Sequence, residues 1–164
     1  MAFHTSIEQG NLGLLQDPVA QELLQSRVPA RLAYTWTDGM PRVVPIWFHW
    51  TGQEIVLGTP PNAPKLKALP KNPQVALTID QVDWPYKVLL VRGSAAVEML
   101  DTVSPEYEAS AKRYFGEEQG AAWVAGVKQM GPMARIRVRP EWVSILDFQD
   151  RFPSAIQAAM TAAR

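Results

Sequence analysis

Arg42-Val43-Val44-Pro45-Ile46-Trp47-Phe48, a turn at Thr51-Gly52, the run Glu54-Ile55-Val56-Leu57-Gly58-Thr59, and then Pro64-Lys65-Leu66-Lys67-Ala68-Leu69 closing on Asn72-Pro73: this stretch decides how the chain is read. The first two runs are rich in β-branched and aromatic residues and predict strands. Joined by a tight turn, they form a hairpin that returns Thr59 toward the level of Arg42, because both strands rise by similar amounts per residue. Lys65 then opens a short helix nearby. A helix start offers unpaired amides and the positive end of its dipole, and Lys65 adds a full charge. Arg42 can hold two phosphate oxygens in its planar fork, and the Thr59 hydroxyl can donate a further bond. Singly, each residue has a plainer account: a solvated helix face with Leu66 and Leu69 turned inward, an arginine on a strand edge, a threonine filling a strand. Their conjunction points to a phosphate-bearing ligand.

Outward from this stretch, Asp17 caps a helix with Pro18 in its first turn and Val19, Leu23 and Leu24 at helical spacing. Ala30 to Trp36 predicts a strand with Leu32, Tyr34 and Trp36 on one face, and Thr37-Asp38-Gly39 turns it into the Arg42 strand. Gln74 to Ile79 and Lys87 to Glu98 predict further strands, with Gly93 marking a bulge or a close backbone approach. Ser104-Pro105-Glu106 starts a helix whose apolar stripe is Tyr107, Ala111, Tyr114 and Phe115. Gly116 and Gly120 divide this helical region into two pieces, the second carrying Trp123 and Val127. Strands return at Ala134 to Val138 and Trp142 to Leu146. Some six strands with few helices predict a mainly β fold built as a barrel. No linker or internal repeat divides the sequence, so residues 1–164 are expected to form one domain, with about 1–16 as an N-terminal extension and about 153–164 as an alanine-rich tail.

Composition narrows the function classes. A chain of 164 residues can bury roughly 68–70% of its unfolded surface, enough for a sizeable core. Sixteen basic and sixteen acidic residues cancel, so no electrostatic footprint calls for a nucleic-acid or membrane partner. The absence of cysteine removes disulfides, thiol nucleophiles and zinc-thiolate sites and is compatible with a reducing compartment. With no basic segment leading into a long apolar run, secretion and membrane insertion are disfavoured and a cytoplasmic location is expected. His4 and His49 lack a third ligand at suitable spacing, so no metal site is expected. Asp80 and Asp83 flank a turn before Trp84-Pro85 and read as solvated turn residues. No nucleophile elbow and no glycine-rich phosphate loop is present, and the identity of any catalytic side chain is left open.

An arginine opening a hydrophobic strand, a strand ending in threonine, a lysine six residues later and Asn-Pro just after the helix form a known order. Through Arg42, Thr59, Lys65 and Asn72-Pro73, the sequence resembles the pyridoxamine 5'-phosphate oxidase-like split β-barrel proteins. Those proteins bind flavin mononucleotide (FMN) or a related deazaflavin across a homodimer interface. The likeness extends more loosely from about Pro29 to about Asp147, with Val88 to Val97 and Ile136 to Ile145 as later barrel strands. It implies an antiparallel split barrel, a homodimer with the cofactor near the subunit interface, and cofactor contacts from Arg42, Val43, Val44, Pro45, Ile46, Trp47, Gly58, Thr59, Lys65 and Leu66. Two departures argue against vitamin B6 oxidation: Trp47 stands where those oxidases carry a lysine for the substrate phosphate, and Pro64 where an arginine commonly precedes the helix lysine. The C-terminal end, through Arg151, also lacks their arginine-bearing ending.

With no acid, base or nucleophile identified, the chemistry falls to the cofactor, and the resemblance implies an FMN-dependent oxidoreductase acting on a small organic substrate. Trp47 is expected to stack on, or lid, the cofactor or substrate, with Trp84 and Tyr86 as further walls of the substrate pocket. Trp36, Trp123 and Trp142 read as core or dimer-seam residues. A deazaflavin-dependent reductase is the near alternative, in which Lys67 and Lys71, otherwise solvent-exposed, would meet the longer acidic tail. A non-catalytic flavin- or haem-binding module is the alternative of a different class.

Overall fold

The computed structural model describes residues 8–163. A 3-10 turn at Leu12–Gln16 leads into helix α1 (Pro18–Gln25), whose first turn is capped by Asp17 accepting the Val19 amide at 2.9 Å. Strand β1 (Ala30–Thr35) buries Leu32 and Tyr34, and a turn with Gly39 at φ 86° feeds β2 (Pro41–Ile46). Then come β3 (His49–Trp50), β4 (Ile55–Thr59), helix α2 (Lys65–Ala68), β5 (Gln74–Asp80) and β6 (Lys87–Leu100). Helices α3 (Pro105–Phe115) and α4 (Glu117–Lys128), strand β7 (Met133–Asp147) and helix α5 (Ser154–Ala162) complete the order.

All seven strands join one antiparallel sheet in the order β2-β1-β5-β6-β7-β4-β3. Its two edges, β2 and β3, are consecutive in the chain and separated only by Trp47 and Phe48. Three residue steps from Ile46 to His49 reach at most about 10 Å, whereas a flat sheet of this width would hold its edges about 29 Å apart. The sheet is therefore rolled until its edges face each other, without a ladder between them, which is the split barrel that the sequence implies.

This topology corrects the hairpin expected between the Arg42 and Thr59 strands. β2 pairs with β1, Arg42 facing Tyr34, while the Thr51-Gly52 turn closes a two-residue ladder of β3 on β4, His49 opposite Val56. The cause is Phe48: its ring is fully buried in the main core, and inserting it interrupts the edge between Ile46 and His49. Burying such a ring is worth about 1.5–3 kcal/mol, enough to favour the break over a continuous edge strand.

A second correction concerns the last strands. Instead of two segments, β7 runs unbroken through Arg139 and Pro140. The register slips between Arg92 and Gly93, where a Cβ on Gly93 would sit 2.0 Å from the Arg139 carbonyl oxygen, so the bulge and the close approach expected at Gly93 coincide. Pro140 survives mid-strand because it lies at this bulge, where no ladder amide is required. The segment expected as an extension contributes buried Leu14 and Leu15, and Gln9 brackets Ile145 by bonding both its amide and its carbonyl at 2.9 Å. That covers the half of β7 beyond its pairing with β4. The C-terminal tail is helical, as α5, and exposed throughout.

Candidate cofactor and substrate site

β2 is the least covered strand, with Val43 65% exposed, and its last residues turn into a hollow. Pro45, Ile46 and Trp47 wall one side, Gly58 of β4 the facing side, Pro29 the rim, and Tyr107 and Trp123 the roof, enclosing about 440 Å³. Residues from the ends of β2 and β4 thus share one space across the open seam. Gly58 is required by the roof: a Cβ there would lie 2.4 Å from Cδ2 of Tyr107 and 3.2 Å from Sδ of Met133.

The roof is a cluster of rings on α3 and α4. Trp47 stacks on Tyr114 at 4.9 Å with planes 8° apart, takes Phe115 edge-on at 4.8 Å, and lies 6.3 and 6.2 Å from Tyr107 and Trp123. The Trp123 Nε1 hydrogen donates to the Tyr107 hydroxyl at 2.9 Å. Burial raises the Tyr114 pKa, with Arg113 opposing. Arg113 closes the seam itself: its guanidinium donates to the Phe48 carbonyl and lies over the Phe48 ring at 4.7 Å, with its Nε buried and unpaired among the described residues. His49, the next residue, has its pKa lowered by burial and by Arg113, against a smaller raising effect of Glu106. Burial alone would raise the Glu106 carboxyl. Bonds from its own amide and Ser104, together with Arg135 at 3.3 Å, bring it below the usual carboxylate value.

The proposed anion ligands Arg42, Thr59 and Lys65 do not line this hollow. The guanidinium of Arg42 rests 3.9 Å over the Trp36 ring. The Asn72 side-chain amide donates to the Trp36 carbonyl at 3.5 Å, tying the end of α2 to the same residue. Lys65 is half-buried, its pKa is lowered by burial, and no acidic partner or hydrogen bond accompanies it among the described residues. Thr59 is buried opposite Ala134, and Leu66 packs its side chain on the main core. Val44 likewise leans on the core, whereas Lys67 and Lys71 are exposed.

Trp84 and Tyr86 do not line this chain's hollow. They form a separate surface cluster with Phe148, at 5.9 and 5.6 Å, and Trp84 is 66% exposed. Asp80 is paired with Arg31 at 2.5 Å. His4 lies outside the described residues. Pro29, Tyr107 and Trp123 were not among the site residues that the sequence suggests. The apolar stripe of α3 was visible, but periodicity does not say which strand a stripe covers.

A seven-stranded antiparallel sheet rolled to a single seam, with a ring-lined hollow at that seam, places the molecule in the split-barrel class. Residues 17–147 match the family described as pyridoxamine 5'-phosphate oxidase, and the chain belongs to that family. No curated protein matches the sequence. Among solved structures, an F420 reductase is 27% identical, with 76% of this chain and 94% of that chain covered and a TM-score of 0.59. HutZ, the heme storage protein of Vibrio cholerae, is 21% identical over 80% of this chain and 93% of that one, with a TM-score of 0.59. A FAD-binding protein of Mesorhizobium loti is 20% identical over 76% and 87%, with a TM-score of 0.51.

Proposed function

We propose that this chain is a flavin-dependent oxidoreductase that holds FMN by its phosphate and acts on a small organic substrate other than a B6 vitamer. The observation that carries the reading is the shared hollow: Pro45, Ile46 and Trp47 of one sheet edge face Gly58 from beside the other. Two features fit the cofactor. Half-buried Lys65 has no acidic partner among the described residues, which suits a cation that receives an anion. The hollow is walled by proline, aliphatic and aromatic side chains, which suits a flat ring system.

When bound, a flavin supplies two-electron redox chemistry. The chain's part is to bind, orient and exclude water. Arg42, Thr59 and Lys65 hold the phosphate end, and the exposed β2 edge from Val43 to Trp47, with Gly58, receives the ring. Trp47 is fixed against Tyr114 and forms a rigid wall for the reacting partners. Trp84 and Tyr86, placed away from this hollow, would act on substrate only from a second copy, and the uncovered β2 edge supports a homodimer.

Protein purified without added cofactor is expected to release FMN on denaturation, identified by absorbance and mass. A colourless extract together with no FMN binding by calorimetry overturns the reading. The deazaflavin coenzyme is the second reading, favoured by the 27% identity to an F420 reductase and by Lys67 and Lys71, exposed cations that follow Lys65 in the chain. Tighter binding of that coenzyme than of FMN would establish it. Bound flavin that neither accepts electrons from a reduced nicotinamide nor passes them to any acceptor would identify a carrier instead.

A further inference from the structure

The hollow has one polar feature in an otherwise apolar, ring-lined wall, and that feature has a direction. Tyr107 stands on α3 with its ring against Gly58 and its hydroxyl accepting the Trp123 Nε1 hydrogen at 2.9 Å. An indole N–H can only donate, so this bond uses an oxygen lone pair of Tyr107 and leaves the phenolic hydrogen free. Among the described residues no acceptor takes that hydrogen. No charged side chain lines the hollow. A charged guest would therefore lose its hydration without a compensating partner, whereas a flat neutral guest would gain ring contacts.

We propose that Tyr107 is a specificity-determining residue that donates its hydroxyl hydrogen to an oxygen acceptor on a planar, uncharged substrate, with Trp123 as the positioning residue that aims it. The substrate class is a cyclic or aromatic carbonyl compound without a carboxylate or phosphate in the ring portion. This inference rests on reading the hollow as the meeting place of two rings, the flavin along the β2 edge and Gly58 and the substrate under Tyr107 and Trp123, yet it concerns side chains whose effect can be measured without turnover. A phenol already accepting one hydrogen bond is a stronger donor in the next, which favours an acceptor over a second donor at this point. Rotation of the hydroxyl is restricted by the indole, so the carbonyl is met in one orientation.

Three probes of nearly equal shape separate the contributions: 2-acetylnaphthalene carries the acceptor, 2-ethylnaphthalene lacks it, and 2-naphthoate carries a charge. Equilibrium dialysis against the full chain is expected to rank acetylnaphthalene tightest and naphthoate weakest. Tyr107→Phe should weaken acetylnaphthalene roughly three- to ten-fold and leave ethylnaphthalene unchanged, the latter reporting an intact hollow. Trp123→Phe keeps a ring in place and should shrink the preference for acetylnaphthalene over ethylnaphthalene by about two-fold or more, which a merely structural role would not do. An equal loss of both neutral probes in Tyr107→Phe, or tightest binding of naphthoate, overturns the proposal. So does a loss of FMN affinity in Tyr107→Phe as large as the loss of acetylnaphthalene, because the hydroxyl would then serve the cofactor ring. Tyr107-dependent ketone binding in a chain that binds no FMN would leave this inference standing and remove the flavin reading alone.

Discussion

The proposed phosphate corner and the aromatic hollow are held by different forces. Arg42 and Asn72 meet at Trp36 through a cation over a ring and one amide bond, and Lys65 lies in the same stretch from β1 to β5. Trp47, Tyr107, Tyr114, Phe115 and Trp123 are held by packed rings brought from far along the chain. The charged ends of Arg42 and Lys65 can be removed without opening a packed core, whereas a packed hollow responds to volume. The comparison therefore predicts affinity effects without stability effects in the corner, and both together in the hollow.

The largest effect is expected at Lys65. If it makes a charge-assisted bond to phosphate, Lys65→Ala weakens FMN binding by about 1.5–3 kcal/mol, or roughly 10- to 150-fold, with thermal stability within about 0.5 kcal/mol of the parent. Titration calorimetry and a melting curve on the same sample check both halves, and an unchanged dissociation constant removes Lys65 from the site. Arg42→Ala is expected to act in the same direction without unfolding the barrel.

Gly58→Ala tests the other region. The new Cβ would stand 2.4 Å from the Tyr107 ring, so the roof must shift. Overpacking of this kind costs about 1–3 kcal/mol, and here it should lower the melting temperature and the binding of neutral aromatic probes together. Normal stability with normal probe binding would show that the roof yields freely and that the contrast with the corner is false.

The two regions were unequally legible in the sequence. Arg42, Thr59, Lys65 and Asn72-Pro73 declare themselves by spacing within one short stretch, and the helices capped by Asp17 and Ser104 follow from local chemistry. The Thr51-Gly52 turn joins only His49-Trp50 to Ile55-Val56, not the whole of the Arg42 and Thr59 runs that its sequence suggests. Nothing local says that Phe48 is drawn into the core and splits the first run in two. Tyr107 and Trp123 were visible as apolar positions on helices, but their meeting with Trp47 depends on which face of the barrel those helices cover. The bulge at Gly93 was legible, since a lone glycine in a valine-rich strand has few other meanings, while its consequence for Pro140 on the neighbouring strand was not.

Proton linkage sharpens the comparison further, with opposite signs for binding and stability at Lys65. Burial holds its folded pKa below the ordinary 10.5, so phosphate affinity should fall as pH rises through that lowered value. Over the window between the lowered value and 10.5 the unfolded chain binds more protons, and the unliganded protein should gain stability from this group as pH rises. Lys65→Arg is expected to keep its charge across this range, removing the alkaline loss of affinity. A parent whose affinity is flat up to the ordinary lysine range would detach Lys65 from the phosphate.

The smallest effect belongs to His49, on the hollow's side of the seam. Its folded pKa lies below the ordinary 6.5 because burial and Arg113 penalise the imidazolium more than Glu106 favours it. The neutral ring therefore contributes stability that is fully present above 6.5 and is lost as pH falls through the folded value. Glu106, also shifted below its ordinary 4.5, contributes stability that is present above 4.5 and is lost only at lower pH. His49→Gln should flatten the dependence of denaturation midpoint on pH as pH falls below 6.5 and leave FMN affinity at neutral pH unchanged. Arg113→Leu, by removing the cation beside it, should let the folded His49 pKa rise toward 6.5 and so shrink the same limb. If His49→Gln leaves that limb as steep as before, the imidazole is not held neutral by the seam, and the acid sensitivity of this region must come from carboxylates instead.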